Sequence, residues 1–236
     1  MFIVEKEPKS VAAEAYKTLR TNIQYSAYHE NLKTLLVTSS NPQEGKSITA
    51  GNLAISFAQD GKKVVIIDCD LRRPTMHKKF NISNEAGLTE LLLRRKEVTD
   101  CIQVHSDNLD IITSGKIPPN PSELLGSDHM KKLLVELKER YDYIIIDTPP
   151  VLAVSDAQVL AANTDGVVFV VKSSETKKED IIQAKANLDK VNAPIVGSVL
   201  NGADSKKGKY KYNYEYYGED AQTKKKCRIF GMKKRA

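Results

Sequence analysis

Short, uninterrupted apolar segments alternate with helix-like patterns along most of this sequence. The segments lack the period-two alternation of a strand with one solvated face, so they predict strands that are buried on both faces. Because such burial is typical of a parallel sheet covered by helices, we predict an α/β fold with a doubly wound, mostly parallel sheet. The predicted strands are 34–38, 63–68, 109–113, 143–147, 166–171 and 195–201.

Helical patterns fill most of the intervals between these strands. The predicted helices are 10–27, 46–59, 88–95, 121–140, 156–162 and 177–191. Ser10 is placed to cap the first helix. The apolar residues of that helix share one predicted face: Val11, Ala15, Leu19 and Ile23. At the start of helix 121–140, Pro121 holds the first position, and Asn120 and Glu123 have the spacing of a capping box.

The chain of 236 residues is long enough for one sizeable core. We predict an N-terminal helical segment at 1–33, a core domain at 34–202 and a tail at 203–236, where Lys, Gly and Tyr replace the apolar periodicity. No apolar run approaches the roughly 18 residues of a membrane-spanning helix, and no signal-peptide pattern opens the chain. Three widely spaced cysteines form neither a zinc pattern nor a disulfide framework. We therefore expect a soluble, cytoplasmic protein.

The segment TSSNPQEGKS joins strand 34–38 to helix 46–59. It looks like a phosphate-binding loop, in which backbone amides and a helix N-terminus hold phosphate oxygens, Lys46 reaches the outer phosphates and Ser47 binds Mg²⁺. Ser40 replaces the first glycine of the usual pattern, so the motif alone does not exclude a chance Gly-Lys-Ser. The predicted nucleotide contacts in this loop are Ser40, Asn41, Pro42, Gln43, Glu44, Gly45, Lys46, Ser47 and Ile48.

Acidic residues stand at the ends of two further predicted strands. Asp68 and Asp70 end the segment VVIIDCD, and Asp147 ends YIIID. Each aspartate alone is explained as a cap of the following loop. Three of them beside a phosphate loop, at the ligand-binding edge of a doubly wound sheet, are suited to holding Mg²⁺ and to taking a proton from a hydroxyl group. We predict catalytic roles for Lys46, Asp68, Asp70 and Asp147, and Mg²⁺ ligation by Ser47, Asp68 and Asp147.

Half of the ten tyrosines lie in the tail segment GKYKYNYEYYGED. This alternation fits an edge strand, but the flanking Gly208 and Gly218 and the high polarity favour an accessible segment. A phosphoryl group on each tyrosine would add roughly 1.5 to 2 negative charges to a basic region. The predicted phosphate acceptors are Tyr210, Tyr212, Tyr214, Tyr216 and Tyr217.

Much of the net charge of +6 lies in the last thirty residues. A solvated tail explains this pattern, and an approach to anionic lipid is the alternative. We expect no nucleic acid as a partner.

The blocks TSSNPQEGKS, VVIIDCDLRRPTMH, SGKIPPNPSELL and YIIIDTPPVLAVSDAQ, with the tyrosine cluster, closely resemble the bacterial tyrosine kinases (BY-kinases) of capsule and exopolysaccharide assembly. The resemblance implies a P-loop NTPase fold related to MinD/ParA ATPases, ATP and Mg²⁺ as cofactors, and a protein-tyrosine autokinase that regulates polymer production and export. It also implies that Asn201 contacts the adenine edge. Asn41 replaces the signature lysine of MinD/ParA proteins, which favours the kinase branch.

The same resemblance implies partners. A ring-like homo-oligomer would assemble through an E-x-x-R-x-x-R motif, here Glu14, Lys17 and Arg20, and the tail of one subunit would enter its neighbour's site. Lys17 replaces an arginine and cannot make a bidentate contact with a carboxylate. A membrane-bound polysaccharide co-polymerase or chain-length regulator would activate the kinase and recruit it to the inner face of the cell membrane, and a tyrosine phosphatase would reset the tail.

Two other functions fit the same residues. A MinD/ParA-like ATPase switch would use water as the acceptor and would form no phosphotyrosine. A nucleotide-binding adaptor would bind ATP without turnover.

Overall fold

A computed structural model describes residues 2–30 and 32–203. Its centre is a seven-stranded sheet in the order β3-β4-β2-β5-β1-β6-β7. The strands are β1 (Thr34–Ser39), β2 (Val64–Asp68), β3 (Ile102–Ser106), β4 (Leu109–Ile112), β5 (Tyr143–Asp147), β6 (Gly166–Lys172) and β7 (Ile195–Asn201). Only the β3–β4 pair is antiparallel among the pairs that join these strands. The predicted doubly wound, mostly parallel sheet is therefore confirmed.

Ten helices surround this sheet in the described ranges. They are α1 (Ile3–Lys6), α2 (Val11–Glu30), α3 (Lys46–Gln59), α4 (Met76–Phe80), α5 (Leu88–Leu92), α6 (Val98–Cys101), α7 (Pro121–Leu125), α8 (Asp128–Arg140), α9 (Asp156–Ala161) and α10 (Lys178–Asp189). No helix in residues 2–30 and 32–203 is long and apolar enough to cross a bilayer.

The core has one apolar layer on each face of the sheet, because β1, β2 and β5 are buried along their whole length. One layer packs helices α8, α9 and α10 against the sheet through Leu133, Leu160 and Leu188. The other layer packs α1, α2 and α3 through Val4, Ile23 and Leu53. The N-terminal helices therefore belong to the same core as the central strands.

The predicted helix 121–140 is wrong as a single element. The α7 helix ends at Leu125, and α8 begins after Ser127, whose hydroxyl accepts the Met130 N–H at 3.3 Å. The predicted capping box at Asn120 does not form, because the Asn120 side-chain amide instead donates to the Glu123 carboxylate at 3.1 Å. Pro121 does hold the first helical position.

The predicted apolar face of the first helix is only partly correct. The Ser10 hydroxyl accepts the Ala13 N–H at 3.2 Å, as predicted for a cap. Val11, however, is 51% exposed, and Ala15 is also exposed. Ile23 is buried and Leu19 is partly buried against the core, as predicted, and Ala13 is a buried position that was not predicted.

Candidate active site

The loop between β1 and α3 passes close to the end of β7. Gly45 has a φ of +96°, and a Cβ atom at this position would lie 1.9 Å from the side-chain nitrogen of Asn201. That nitrogen donates a hydrogen bond to the backbone carbonyl of Glu44 at 3.0 Å. Asn201 therefore lies at the loop. The close approach of the loop backbone and the Asn201 side chain requires glycine at position 45.

The buried Glu44 side chain stabilises the loop through hydrogen bonds. Glu44 is only 4% exposed, and its carboxylate accepts the Asn41 N–H at 3.0 Å and the Thr176 hydroxyl at 2.6 Å. The Asn41 side-chain amide donates to Asp180 at the start of α10 at 2.8 Å. Thr176 and Asp180 were not predicted as loop contacts, because neither stands in a motif and only the fold brings both of them to the loop.

An open cleft of about 630 Å³ lies over the N-terminus of α3. Pro42, Gln43, Gly45, Lys46, Ser47 and Ile48 form the wall that comes from the loop. The facing walls carry Asp70, Arg72, Arg73 and Lys79 on one side and Pro149 and Pro150 on the other. Four of the predicted nucleotide contacts, Ser40, Asn41, Glu44 and Asn201, do not line the cleft. Asn41, Glu44 and Asn201 instead make hydrogen bonds that support the loop.

Asp68 and Asp147 are register partners at the ends of the adjacent strands β2 and β5. The Asp68 carboxylate accepts the backbone N–H groups of Asp70, Thr75 and Met76 at 3.2, 3.0 and 2.9 Å. It thereby fixes the start of α4. Burial, together with the charge of Asp147, raises the pKa of Asp68 to about 8 although the amides of Met76 and Thr75 act to lower it.

Asp147 is fully buried, and neither of its carboxylate oxygens meets hydrogen-bond geometry with any described residue. Burial raises the pKa of Asp147 to about 6, although Lys46 and the nearby Ser47 hydroxyl act to lower it. Because an unpaired buried carboxylate is costly, these two oxygens fit a cation or its bound waters. Across the described part of the chain, no set of three His, Cys, Asp or Glu side chains is arranged to hold a metal by itself. Mg²⁺ commonly combines one or two protein ligands with substrate phosphates, and Ser47 and Asp147 suit that mode.

Asp70 is the acid that lines the cleft. Its carboxylate accepts the Arg73 N–H at 3.0 Å and lies 3.7 Å from the Lys46 ammonium, and both side chains are nearly buried. The four residues predicted as catalytic, Lys46, Asp68, Asp70 and Asp147, therefore meet at one edge of the sheet.

Arg72 was not predicted to have a role, although it follows Asp70 closely in the quoted block DLRRP. Its guanidinium makes two hydrogen bonds to the buried Asp156 carboxylate, at 2.8 and 3.1 Å, and a third to the Ser122 hydroxyl at 3.0 Å. Ser122 also donates to Asp156. This set ties the loop after β2 to α7 and α9 and holds one rim of the cleft.

The predicted oligomer contacts lie away from the cleft. The Lys17 ammonium pairs with Glu14 at 2.7 Å and donates to the Pro8 carbonyl at 2.9 Å. The Arg20 guanidinium donates to the Ser56 carbonyl at 3.0 Å and lies 3.4 Å from Asp60 at the end of α3. The predicted phosphate acceptors at 210–217 lie outside the described residues.

Comparisons with known proteins identify the family. The family model described as an AAA domain matches residues 32–197. Tyrosine-protein kinase YwqD of Bacillus subtilis (strain 168) is 46% identical over 217 residues, which cover 92% of this chain and 90% of that protein. Putative tyrosine-protein kinase CapB of Staphylococcus aureus is 39% identical over 219 residues, which cover 92% and 95% of the two chains.

Solved structures agree with this assignment. The kinase domain of Escherichia coli tyrosine kinase ETK superposes with a TM-score of 0.83 at 36% identity, covering 86% of this chain and 80% of that chain. A plasmid partition protein from Borrelia burgdorferi, with a TM-score of 0.56 at 22% identity over 72% and 78% of the chains, shares the fold alone. The chain therefore belongs to the family of bacterial protein-tyrosine kinases.

Proposed function

We propose that this kinase transfers the γ-phosphoryl group of ATP to tyrosines of the tail cluster 210–217, and that the acceptor tail belongs to a neighbouring subunit. The observation that supports this proposal is an open cleft lined by the phosphate loop and the Lys46–Asp70 pair, with the unpaired Asp147 carboxylate buried at the same edge of the sheet. A cleft open to solvent leaves room for a peptide hydroxyl beside the phosphates.

In the proposed mechanism, the loop amides and the Lys46 ammonium bind and orient the phosphates. Ser47 and Asp147 would hold Mg²⁺, and Asp68 would support it from the adjacent strand; when bound, this ion neutralises phosphate charge. Asp68 and Asp70 are the candidates for accepting the phenolic proton, and Asp70 is the one that lines the cleft. The tyrosine oxygen forms the new bond to phosphorus, the bond to the ADP oxygen breaks, and ADP leaves. Catalysis would come mainly from positioning and electrostatics.

We further propose a setting for this reaction. The helical motif of Glu14, Lys17 and Arg20 would help to assemble a homo-oligomer. A membrane-bound polysaccharide co-polymerase would activate the kinase at the inner face of the membrane, and a tyrosine phosphatase would reverse the modification. The kinase would in this way regulate capsule or exopolysaccharide polymerisation and export. Support for this setting comes from the sequence resemblance and from relatives named as tyrosine kinases.

The test incubates the purified full chain with Mg²⁺ and labelled ATP, with and without the cytoplasmic end of a candidate activator. Two variants accompany it: Lys46→Met, and a chain with all five tail tyrosines changed to Phe. We expect phosphotyrosine on the unmodified chain and a loss of at least about 100-fold in Lys46→Met, because the lysine contact to the phosphates is removed. ATP hydrolysis without phosphotyrosine would instead favour the ATPase switch, and tight ATP binding without turnover would favour the adaptor.

A further inference from the structure

A second groove continues from the active-site cleft. Its volume is about 620 Å³, and Arg72, Arg73 and Thr75 line both the cleft and this groove. Lys78 and Lys116 add two further cations, and no described Asp or Glu lines it. We call this surface the basic groove and define it by Arg73, Pro74, Lys78, Lys116 and Ile117.

The positive charge of the basic groove is not compensated within the described chain. Arg72 is paired with Asp156, but the side chains of Arg73, Lys78 and Lys116 make no ion pair or hydrogen bond with residues 2–30 or 32–203. Uncompensated cations on one wall of a groove raise the local concentration of anions. The groove is therefore suited to an anionic group next to the reacting centre.

An apolar surface accompanies these cations. Ile117 is 65% exposed, and both it and Pro74 line the groove. Phosphotyrosine presents a flat apolar ring and a dianion with three acceptor oxygens, which is the combination that this surface complements. A smaller phosphorylated side chain would reach the cations but would leave Ile117 uncovered.

The loop that carries Lys116 and Ile117 is held rigidly. The Asn84 side chain accepts the Gly115 N–H at 3.0 Å and donates to the Gly115 carbonyl at 2.9 Å. The Glu90 carboxylate accepts the Lys116 N–H at 3.4 Å from the opposite side. A surface fixed in this way needs little reorganisation to bind a ligand.

We propose that the basic groove binds a phosphotyrosine of the acceptor segment 210–217 of a second copy, so that one phosphorylated residue anchors the segment while another tyrosine occupies the cleft. The acceptor tyrosines at 210, 212, 214 and 216 alternate with other residues. Alternate side chains of an extended peptide point to the same side and lie roughly 6.6 Å apart, so one bound segment presents two of them to neighbouring sites. The first phosphorylation thereby promotes the next. This inference rests on the proposed function of the tail as acceptor.

Binding tests the proposal without requiring turnover. The protein is the full chain with its five tail tyrosines changed to Phe, so that its own tail does not compete. The probes are labelled peptides of sequence 208–220 that carry a phosphate on Tyr216, or no phosphate, or phosphoserine at the same position, and fluorescence anisotropy gives their affinities. We expect the phosphotyrosine peptide to bind about tenfold more tightly than the unphosphorylated one, because several charge-assisted contacts are gained.

Paired variants locate the effect. Lys78→Ala with Lys116→Ala removes the preference for the phosphorylated peptide, whereas Lys96→Ala with Lys132→Ala, two exposed lysines without ion pairs elsewhere on the chain, leaves it unchanged. Ile117→Ser reduces the preference for phosphotyrosine over phosphoserine. Equal affinity for phosphorylated and unphosphorylated peptides, or an equal loss in the control pair, overturns the proposal.

Kinetics separates this proposal from the proposed function. With the same chain as the enzyme, we expect the phosphorylated peptide to show a KM about tenfold lower than the unphosphorylated one at similar kcat. Lys78→Ala with Lys116→Ala raises that KM and leaves the KM for ATP unchanged. Phosphate-dependent binding without any transfer to tyrosine contradicts the proposed function and still supports the groove.

Discussion

Asp147 is buried at the end of β5 with both carboxylate oxygens free of hydrogen bonds to described residues. Its register partner Asp68 is equally buried, but three backbone amides satisfy it. Two neighbouring carboxylates therefore have different roles: Asp68 organises the loop and α4, and Asp147 keeps its oxygens available. Such an arrangement costs folding free energy and is typical of a binding site.

Replacing Asp147 by Asn is expected to stabilise the protein in the absence of nucleotide and metal. Because the folded pKa of Asp147 is raised from 3.8 to about 6, its ionisation lowers stability as pH rises between these values, and the full penalty is present at pH 7.5, where a neutral amide removes it. We expect a gain of about 1 to 2 kcal/mol, measured by thermal unfolding, together with loss of phosphotyrosine formation. Asp70→Asn is the control, because Asp70 already has Lys46 as a partner and should give no gain. A lower Tm for Asp147→Asn would contradict this reading of the site.

Gly45→Ala is expected to damage the loop for two separable reasons. The positive φ strains an alanine, and its Cβ would meet the Asn201 side chain at 1.9 Å. Gly61→Ala has a similar φ of +78° but meets nothing within 4 Å, so it reports the backbone strain alone, about 1 kcal/mol. We expect Gly45→Ala to lose more stability than this control and to lose ATP affinity, with partial recovery when Asn201→Ala is added. Equal effects of the two alanines would show that the contact with Asn201 is unimportant.

At the scale of secondary-structure elements, the Asp165 side chain connects two strands and a helix. One oxygen accepts the Lys33 and Thr34 N–H groups and the Thr34 hydroxyl at 2.8 to 3.0 Å, and the other accepts the Lys138 ammonium at 2.8 Å. The residue therefore connects the starts of β1 and β6 with α8. Burial alone raises the pKa of Asp165, but Lys138 and the Thr34 and Lys33 donors outweigh it and lower the pKa overall.

This lowered pKa predicts how stability depends on pH. Because the ionised form is favoured in the folded state, its contribution is complete above the pKa of the unfolded chain, about 4, and is lost as pH falls through the lower folded value. Asp165→Asn should cost about 2 kcal/mol at pH 7, and the difference from the unmodified protein should shrink below about pH 4. Asp142→Asn is the matched control, since Asp142 accepts only the Lys63 N–H. A difference that persists undiminished at low pH would contradict the assignment.

Elements with a strong local pattern were predicted well from the sequence, and elements without one were missed. The first four residues of β2 and of β5 form a continuous apolar run that is recognisable without tertiary context, and the acid that follows each run marks the functional edge. By contrast, α4 has a single turn, too short for any periodicity, although its start is what holds Asp68. The break between α7 and α8 had a signal, the pair Gly126–Ser127, but the continuous helical pattern on both sides concealed it. The edge strand β3 was missed because only its pairing with β4 makes it a strand.

In the candidate active site, too, local features were predictable and contacts between distant residues were not. Lys46, Asp68, Asp70 and Asp147 were predicted from strand ends and a loop motif, which are local features. Arg72 with Asp156, and Glu44 with Thr176, join residues more than eighty positions apart, so only the folded chain brings them together.

At the scale of the whole molecule, the proposed assembly motif also has a role within one chain. Arg20 bonds to the Ser56 carbonyl and approaches Asp60, and it therefore holds α2 against α3. Arg20 should therefore contribute to the stability of the isolated subunit as well as to assembly of an oligomer.

Arg20→Ala is accordingly expected to lower the stability of the dilute monomer by about 1 to 2 kcal/mol, because the Ser56 carbonyl loses its side-chain donor and Asp60 loses its ion pair. Lys17→Ala, which loses only contacts near the surface, should change it by less than about 0.5 kcal/mol. Thermal unfolding at several protein concentrations and sedimentation velocity measure the two effects separately. An Arg20→Ala monomer as stable as the unmodified monomer would assign this residue to assembly alone.

In the proposed reaction, the active site of one subunit transfers phosphate to the tail of another. The most direct measurement mixes the full chain carrying Lys46→Met, which keeps its tail tyrosines, with a chain whose five tail tyrosines are Phe and whose site is intact. After incubation with Mg²⁺ and ATP, mass spectrometry locates phosphotyrosine on each partner. We expect phosphate on residues 210–217 of the Lys46→Met chain in the mixture, and on neither protein alone. ATP consumption in the mixture with no phosphotyrosine on that chain would contradict it.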